Sequence, residues 1–236
     1  MSGFIVGLTG GIASGKSEAT RRFEALGIVV ADADVAAREV VAPGSAALEQ
    51  IGRRFGSEML LADGTLNRAR LREQVFGNDE ERRALEAITH PAIRARVRDL
   101  CETADGPYAI AAIPLLAEAG GRATYPWLDR IVVVDAPESV RHARLRQRDG
   151  IDDALATRMI QAQAGRDQRL ALADDVIVND GHPSRLQPQV ETLDRLYRQL
   201  ASGRACAPRR QRMRPAALSR PGPRGCCPTL QGGRVM

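Results

Sequence analysis

Residues 3–17 read Gly-Phe-Ile-Val-Gly-Leu-Thr-Gly-Gly-Ile-Ala-Ser-Gly-Lys-Ser, and this stretch decides the fold. Its first part, residues 4–8, is a short apolar run that predicts a buried β-strand. The run leads directly into Gly10-x-x-x-x-Gly15-Lys16-Ser17, the spacing of a phosphate-binding loop. Glycines let backbone N–H groups turn toward phosphate oxygens, and the following helix presents its positive N-terminus to them. The stretch therefore predicts a strand, a phosphate-binding loop and the start of a helix.

Two side chains of this loop, residues 10–17 and hereafter the P-loop, carry chemistry. Lys16 is placed to reach the terminal phosphates of a nucleoside triphosphate, and the Ser17 hydroxyl is placed to bind Mg²⁺. Lys16 is also the only lysine, since every other basic residue among the 34 is arginine. The planar fork of arginine does not replace a compact ammonium inside such a loop. The retained lysine thus favours a triphosphate site over the alternative, a glycine-rich turn with a chance Lys-Ser.

Composition limits the kind of protein. An apolar content of 44% can fill a core, and with only 3% aromatic residues that core should be aliphatic. No apolar run reaches 18 residues, and the first strand is too short for a secretory signal. We expect a soluble, cytoplasmic protein without a membrane segment. Cys101 is the one cysteine before residue 200, so it predicts a small buried hydrophobe rather than a disulfide framework or a zinc site.

The net charge of +5 belongs to the C-terminal tail. Residues 201–236 hold eight arginines and no acidic residue, which leaves 26 basic against 29 acidic residues in 1–200. A basic face for specific nucleic-acid binding is therefore not supported. The tail has five prolines, five glycines and no apolar periodicity, which predicts a disordered basic segment. Contact with RNA or membrane phosphates and the absence of any role remain alternatives for it.

A second predicted strand, residues 28–31, ends in Asp32-Ala33-Asp34. Ligands of open α/β sheets bind beyond the carboxyl ends of the strands. The two aspartates therefore lie where a phosphoryl acceptor would bind. The alternative is that Asp34 merely N-caps a helix over 35–40, and Asp32 has the same alternative role. Capping and acceptor binding are compatible.

Residues from 43 to about 105 contain no strand-like run. They are helical and charged in pattern, with turn signals at Pro43-Gly44, Asp63-Gly64 and residues 77–79, and a helix break at His90-Pro91. A segment of this kind between two strands predicts an inserted helical subdomain that grips the acceptor. His90 is either a ligand contact or a helix-junction histidine bonded to the backbone.

The remaining strands are predicted at residues 108–113, 130–135 and 176–178, with a final amphipathic helix through residue 200. Between the last two strands, one helix spans 138–147 and a second runs from 152 to about 163 and on to 169. The arginines of this segment that point to a phosphate site are Arg141, Arg144, Arg146, Arg148, Arg166 and Arg169. Such helices predict a lid, at about 141–169, that neutralises charge on a transferring phosphoryl group. For any single arginine, a solvated helix face is the alternative.

The motifs in this order resemble the dephospho-CoA kinase family. The resemblance covers residues 3 to about 200, leaves the tail outside, and rests on Thr9-Gly-Gly-Ile-x-Ser-Gly-Lys-Ser17, Asp32-Ala-Asp34-x-x-Ala-Arg38, Asp63-Gly-x-Leu66 through Phe76, His90-Pro91, Pro114-Leu-Leu-x-Glu118, Gln163-x-x-Arg166 and Ala173-Asp174-x-Val176-Ile177-x-Asn179. It implies an α/β P-loop NTPase fold in residues 1–200, with a five-stranded parallel sheet flanked by helices, a helical substrate-binding insertion and an arginine-rich lid. The implied reaction transfers the γ-phosphoryl of ATP to the ribose 3′-hydroxyl of dephospho-CoA, the last step of coenzyme A synthesis.

The same resemblance implies roles for individual residues. Asp34 would accept or orient the proton of the attacking hydroxyl, Arg38 and His90 would lie near the acceptor, and Arg148 would meet the transferred phosphoryl group. Mg²⁺ would bind at Ser17. The residues expected to bind ATP are Gly11, Ile12, Ala13, Ser14, Gly15, Lys16, Ser17 and Glu18.

Two residues depart from the family pattern. Ala13 stands where glycine is usual, which is tolerable if its φ stays negative. Glu18 stands where threonine is common, and we expect its carboxylate to point away from the phosphates.

Two other classes of function share these features. One is another small-molecule or nucleoside-monophosphate kinase, and the other is a non-catalytic P-loop protein that binds ATP as a regulator. The aspartate at the strand end favours an acceptor hydroxyl, and hence a kinase. The expected partners are ATP and dephospho-CoA, and the expected state is a monomer or a weak homo-oligomer.

Overall fold

Five parallel strands form one sheet in the computed structural model, which describes residues 3–205 except the side chains of residues 183, 204 and 205. The strands are β1 Ile5–Thr9, β2 Val29–Asp32, β3 Ala109–Ala112, β4 Arg130–Asp135 and β5 Asp175–Val178. Their order is β2-β3-β1-β4-β5, and every neighbouring pair is parallel. The predicted five-stranded parallel sheet is confirmed, with the P-loop strand β1 at its centre.

Helices cover both faces of the sheet, which explains why the central strands are apolar throughout. All residues of β1 and β3 are buried. One face packs against Phe23 of the first helix and Tyr197 of the last helix, and the other packs against Val97 and Trp127. This arrangement fixes the carboxyl end of β1, and therefore the P-loop, at the centre of one edge of the sheet.

The ten helices of the described region are α1 Lys16–Ala25, α2 Ala33–Glu39, α3 Ala46–Phe55, α4 Arg68–Val75, α5 Asp79–Thr103, α6 Gly121–Thr124, α7 Glu138–Asp149, α8 Asp153–Gln161, α9 Arg166–Leu170 and α10 Leu186–Ala205. Two short 3₁₀ turns lie at Ser57–Met59 and Pro183–Arg185. None of the helices within residues 3–205 is both long and apolar enough to cross a bilayer.

Helix α10 extends five residues into the segment predicted to be disordered from residue 201. That boundary was wrong because the helix keeps contact with the core, where Leu200 and Ala201 pack beside Tyr197. The rest of the predicted disordered tail, residues 206–236, lies outside the described residues.

Helices α3, α4 and α5 lie between β2 and β3 and share an apolar cluster of their own. Its buried members are Val41, Ile51, Phe55, Met59 and Leu71. Because this cluster is separate from the two clusters on the sheet faces, the three helices form a distinct layer of packing.

Helix α5 runs without interruption through Pro91, so the predicted break at His90-Pro91 was wrong. Proline removes one backbone donor, which leaves the Ala87 carbonyl without its helical partner. Ala87 is exposed, so water can satisfy that carbonyl. Beyond Pro91, Val97 and Cys101 anchor α5 in the main core. Cys101 is fully buried, as predicted, and burial raises the pKa of its thiol to about 12.

Helices α7 and α8 pack against each other through Leu145, Ala156 and Ile160, and this cluster also contacts Ile12 and Ala13 of the P-loop. The second lid helix was predicted to continue to residue 169, but α8 ends at Gln161 and α9 begins at Arg166. The chain between them turns back toward the sheet, which brings the end of the lid segment beside the P-loop.

Candidate active site

The P-loop takes the conformation that its glycines predict. Gly15 has φ 98° directly before α1 begins, and a Cβ atom there would collide with the Asn179 side-chain amide. Gly10 lies against the Val134 carbonyl, where a Cβ would approach to 2.5 Å. Glycine is needed at both positions because of this close packing, and the loop is thereby held between β4 and the residue that follows β5.

Lys16 is partly buried, and its ammonium donates a hydrogen bond to the Gly10 carbonyl at 2.9 Å. Burial lowers the pKa of this lysine, the Asp34 charge acts in the opposite direction, and Arg169 and Arg148 lower it further. These four charges therefore lie close enough to influence one another. The ammonium has a single neutral hydrogen-bond partner, the Gly10 carbonyl, which an incoming anion can replace. Its charged neighbours are Asp34 and Asp32, which raise its pKa, and the two arginines, which lower it.

Lys16, Ser17, Asp32 and Asp34 line one small cavity, together with Thr20, Ala112 and Pro114. Asp32 is the N-cap of α2, because its carboxylate accepts a hydrogen bond from the Asp34 N–H at 2.7 Å. Asp34 lies in the first turn of that helix and is exposed. The alternative that Asp34 serves as the cap was therefore wrong, and its carboxylate has no capping role.

A larger cleft of about 370 Å³ lies beside the P-loop. Its walls are residues 13–18 together with Arg21, Arg144, Gln147 and Arg148. Arg148, predicted to meet the transferred group, thus faces the loop and pairs with Asp149 at 2.6 Å. Arg21 and Gln147 were missed by sequence reasoning. Helical spacing would have found them, since Arg21 is one turn after Ser17 and Gln147 is three residues after Arg144.

Arg144 has a supporting position in this cleft. Its guanidinium donates to the Asn179 backbone oxygen at 3.1 Å and to the Asn179 side-chain oxygen at 3.2 Å. Asn179 in turn donates from its amide to the Ser14 carbonyl at 2.7 Å. The arginine therefore orients the asparagine that holds the P-loop from outside.

The other lid arginines separate into different environments. Arg141 and Arg169 are buried beside Gly11, and Arg141 has two buried nitrogen atoms without a hydrogen-bond partner. Arg166 binds the buried Asp135 carboxylate at the end of β4, with a shortest distance of 2.7 Å. Arg146 pairs with Asp153 at 2.9 Å on the surface. Arg146 matches the solvated-face alternative, and sequence pattern did not distinguish it from Arg141, Arg166 and Arg169.

Arg38 and His90 are exposed, on α2 and α5. These two helices pack against each other. In the described part of the chain, neither contributes to the two cavities that contain Lys16.

The two departures from the family pattern, Ala13 in the P-loop and Glu18 directly after it, have structural consequences. Ala13 has φ 57°, in the left-handed region, and is the one described non-glycine residue with positive φ. The condition under which alanine is tolerable at this position, a negative φ, is therefore not met. Glu18 lines the larger cleft, but Arg22 and Arg21 both bind its carboxylate, and the Arg22 hydrogen bond lowers its pKa. These partners offset the negative charge that Glu18 brings near the loop.

A magnesium site would depend on few protein ligands. Within residues 3–205, no group of three or more His, Cys, Asp or Glu residues converges as a metal cluster. The Asp32 and Asp34 carboxylates line the same small cavity as Ser17. Mg²⁺ prefers such hard oxygen ligands, and in phosphoryl-transfer sites it takes only one or two from the protein.

Comparison with known proteins gives one consistent match. A family profile described as dephospho-CoA kinase matches residues 4–184. The dephospho-CoA kinase of Xanthomonas campestris pv. campestris is 62% identical over 198 residues, which are 84% of this chain and 95% of that protein. That of Xylella fastidiosa is 57% identical over 202 residues, covering 86% and 97% of the two chains.

Solved structures agree with the sequence relatives. The dephospho-CoA kinase from Campylobacter jejuni superimposes with a TM-score of 0.64 at 25% identity, covering 86% of this chain and all of that chain. A Thermus thermophilus protein superimposes with a TM-score of 0.67 at 28% identity, covering 83% and 98%. The match supports a P-loop kinase fold with a five-stranded parallel sheet flanked by helices.

Proposed function

This chain belongs to the dephospho-CoA kinase family, and from that premise we propose how its residues carry out the reaction. The fold is that of a P-loop kinase, and the enzyme phosphorylates dephospho-CoA with ATP in the last step of coenzyme A biosynthesis. The observation that carries the assignment of residues is the cavity shared by Lys16, Ser17 and Asp34. It joins a phosphate-binding group and a candidate base at one sheet edge.

ATP binds with its β- and γ-phosphates in the P-loop. The backbone amides of residues 11–18 surround the phosphates, and the Lys16 ammonium leaves the Gly10 carbonyl to bind them. Arg148 neutralises the charge that develops on the transferring group from the cleft wall opposite the loop. Most of the acceleration then comes from positioning and charge neutralisation.

The ribose 3′-hydroxyl of dephospho-CoA enters at the Asp34 side. Its oxygen forms a bond to the γ-phosphorus while the bond from that phosphorus to the bridging oxygen of ADP breaks, and the hydroxyl proton passes to the Asp34 carboxylate. Asp34 is exposed and its carboxylate does not cap a helix, and both observations support this role. Arg38 and His90 contact more distant parts of the acceptor from α2 and α5.

Mg²⁺ is the metal whose chemistry suits this donor set. The Ser17 hydroxyl would hold it, with Asp32 or Asp34 on the opposite side of the small cavity. When bound, the ion offsets phosphate charge during transfer. The protein groups keep the roles described above.

An ADP-release assay tests the assignment of the acceptor. Dephospho-CoA, the common nucleoside monophosphates, shikimate and a blank without acceptor are compared at equal concentration. We expect turnover with dephospho-CoA alone. ADP release without an acceptor, or none with dephospho-CoA, would contradict the assignment.

Asp34→Asn tests the proposed base. Loss of the proton acceptor should lower kcat by about 10²–10⁴-fold, the usual contribution of general-base catalysis, while the Kd for ATP stays within about twofold. Glu39→Gln is the matched control, since it removes an exposed carboxylate from the same helix. A fall in kcat no larger than that of the control would exclude Asp34 as the base, and an unfolded variant would return it to a structural role.

The proposal includes a cytoplasmic location and a monomeric or weakly self-associating enzyme. The cytoplasm holds the ATP pool on which the reaction depends. Size-exclusion chromatography with light scattering over a concentration series measures the association.

A further inference from the structure

Ala13 holds a conformation that its own side chain disfavours. Its φ is 57°, where the Cβ of an L-residue crowds the following carbonyl and where glycine is at ease. Alanine persists in this region only when the surroundings fix the backbone on both sides. The groups that fix it are therefore part of what makes the P-loop competent.

Two side chains from the C-terminal half of the chain bind the residues on either side of Ala13, through the Gly11–Ile12 peptide and the Ser14–Gly15 peptide. The Gln163 side-chain oxygen accepts a hydrogen bond from the Ile12 N–H at 2.7 Å, and the Asn179 amide donates to the Ser14 carbonyl at 2.7 Å. The Ser14 N–H also donates to the Gly11 carbonyl at 3.0 Å, which closes the turn. The alanine is thus held from outside the loop at both neighbours.

Gln163 is itself held in place. It lies in the connection between α8 and α9, and the next residue, Ala164, donates its N–H to Glu118 at 2.8 Å. Ile12 also packs against the apolar cluster between α7 and α8, which contains Leu145, Ala156 and Ile160. The end of the lid segment is therefore docked onto the P-loop by one hydrogen bond and one apolar contact.

We infer that Gln163 is a positioning residue that keeps Ala13 left-handed and thereby keeps the P-loop amides aimed at phosphate. This inference rests on the proposed ATP site. Without the Gln163 oxygen, the Gly11–Ile12 peptide is free to turn, and its carbonyl no longer holds the Ser14 N–H. Ala13 then relaxes toward negative φ, which rotates the Ser14 N–H away from its present direction. Glycine has no such preference, so a glycine at this position would make Gln163 dispensable.

A double-mutant cycle tests this dependence, because it measures coupling between two residues directly. ATP affinity is measured by calorimetry with a non-hydrolysable analogue for Gln163→Leu, Ala13→Gly and the double variant. We expect Gln163→Leu to weaken binding about tenfold when residue 13 is alanine, the scale of one lost buried hydrogen bond. Combined with Ala13→Gly, the same change should weaken binding about twofold or less. Gln161→Leu, at an exposed position two residues earlier, is the control and should have no effect.

Gln163→Glu supplies a conservative rescue. Its carboxylate keeps an oxygen for the Ile12 N–H, so its effect on ATP affinity should be the same with either residue at position 13. Should Gln163→Leu not fold, Gln163→Asn replaces it in the cycle, because the shorter side chain does not reach the Ile12 N–H. Melting temperatures report folding for every variant.

Equal losses in both backgrounds, or no loss at all, would overturn the inference. Lys16→Ala separates this failure from failure of the proposed site. If Lys16→Ala abolishes ATP binding while the cycle shows no coupling, the inference alone fails. If Lys16→Ala leaves ATP affinity unchanged, the assignment of the ATP site fails first.

Discussion

Lys16 illustrates the cost of a functional charge in a partly buried loop. Its ammonium has one neutral hydrogen-bond partner, and burial lowers its pKa while Asp34 only partly compensates. An ammonium whose folded pKa is lowered costs folding free energy wherever it must stay protonated. In the proposed site, the Lys16 ammonium binds phosphate, and its partial burial lowers the stability of the unliganded enzyme.

Lys16→Met is expected to raise the melting temperature of the unliganded protein and to abolish the further rise caused by ATP. The methionine keeps the apolar stem and removes the desolvated charge. Because the folded pKa lies below the ordinary value of 10.5, wild-type stability rises with pH in the interval between these values. The difference between the two proteins should therefore narrow as pH approaches 10.5, as followed by calorimetry. A difference independent of pH would assign the effect to packing.

The positions of side chains in the candidate site were predictable only where chemistry fixes the spacing. The lysine and serine of the P-loop follow from the motif, and the placement of Asp34 at a sheet edge follows from its position after a strand. The choice between Asp32 and Asp34 as helix cap did not follow from the sequence, because both are aspartates. The residue at which α2 begins determines which of them is the cap. The left-handed Ala13 depends on contacts with residues over 150 positions away, which no local pattern reveals.

At the scale of elements, the helices between β2 and β3 have packing that is separate from the sheet. Ile51 is fully buried in their own cluster, whereas Val97 of α5 lies in the main core. Separate clusters joined by one long helix allow part of a structure to open while the rest stays folded. We therefore expect these helices to open more readily than the sheet.

Ile51→Ala should loosen this layer and leave the sheet folded. Removal of the side chain costs about 2–5 kcal/mol at a closed core site. We expect faster hydrogen exchange in α3 and α4, a higher KM for dephospho-CoA and an unchanged Kd for ATP. Val97→Ala is the control, and its effect should extend to the sheet. The fluorescence of the buried Trp127 reports urea unfolding of the sheet. If Ile51→Ala lowers the urea midpoint of this transition as much as the control does, separate packing is contradicted.

Element types were predictable here and element boundaries were less so. All five strands follow from apolar runs, because a parallel sheet covered on both faces needs them. The continuity of α5 through Pro91 and the interruption between α8 and α9 were not predicted. Both depend on tertiary contacts. Val97 and Cys101 anchor α5 in the core, and the hydrogen bond from Ile12 to Gln163 draws the segment between α8 and α9 to the P-loop.

For the whole molecule, the net positive charge lies in the C-terminal segment and the region that matches the kinase family lies before it. The family match ends at residue 184 and the last described helix ends at Ala205. A chain that stops at Ala205 has 27 basic and 29 acidic residues, against 34 and 29 in the full chain. The catalytic region is therefore close to neutral.

Truncation after Ala205 should leave kcat, both KM values and the melting temperature unchanged, since no element assigned to the site is removed. Binding to heparin should fall because net charge governs such non-specific association. Steady-state kinetics and heparin elution at matched salt measure the two effects. Lost activity on truncation would assign residues 206–236 a role in the enzyme.

The solitary lysine has a consequence for chemical access to the enzyme. A lowered pKa makes more of the ε-amine nucleophilic near neutral pH, and no second lysine side chain competes for an acylating reagent. Occupancy of the nucleotide site would shield that amine. Acylation of a lysine side chain can thus occur at this one position, and the extent of Lys16 acylation, measured on its own peptide and apart from the N-terminal amine, reports nucleotide occupancy without an engineered probe.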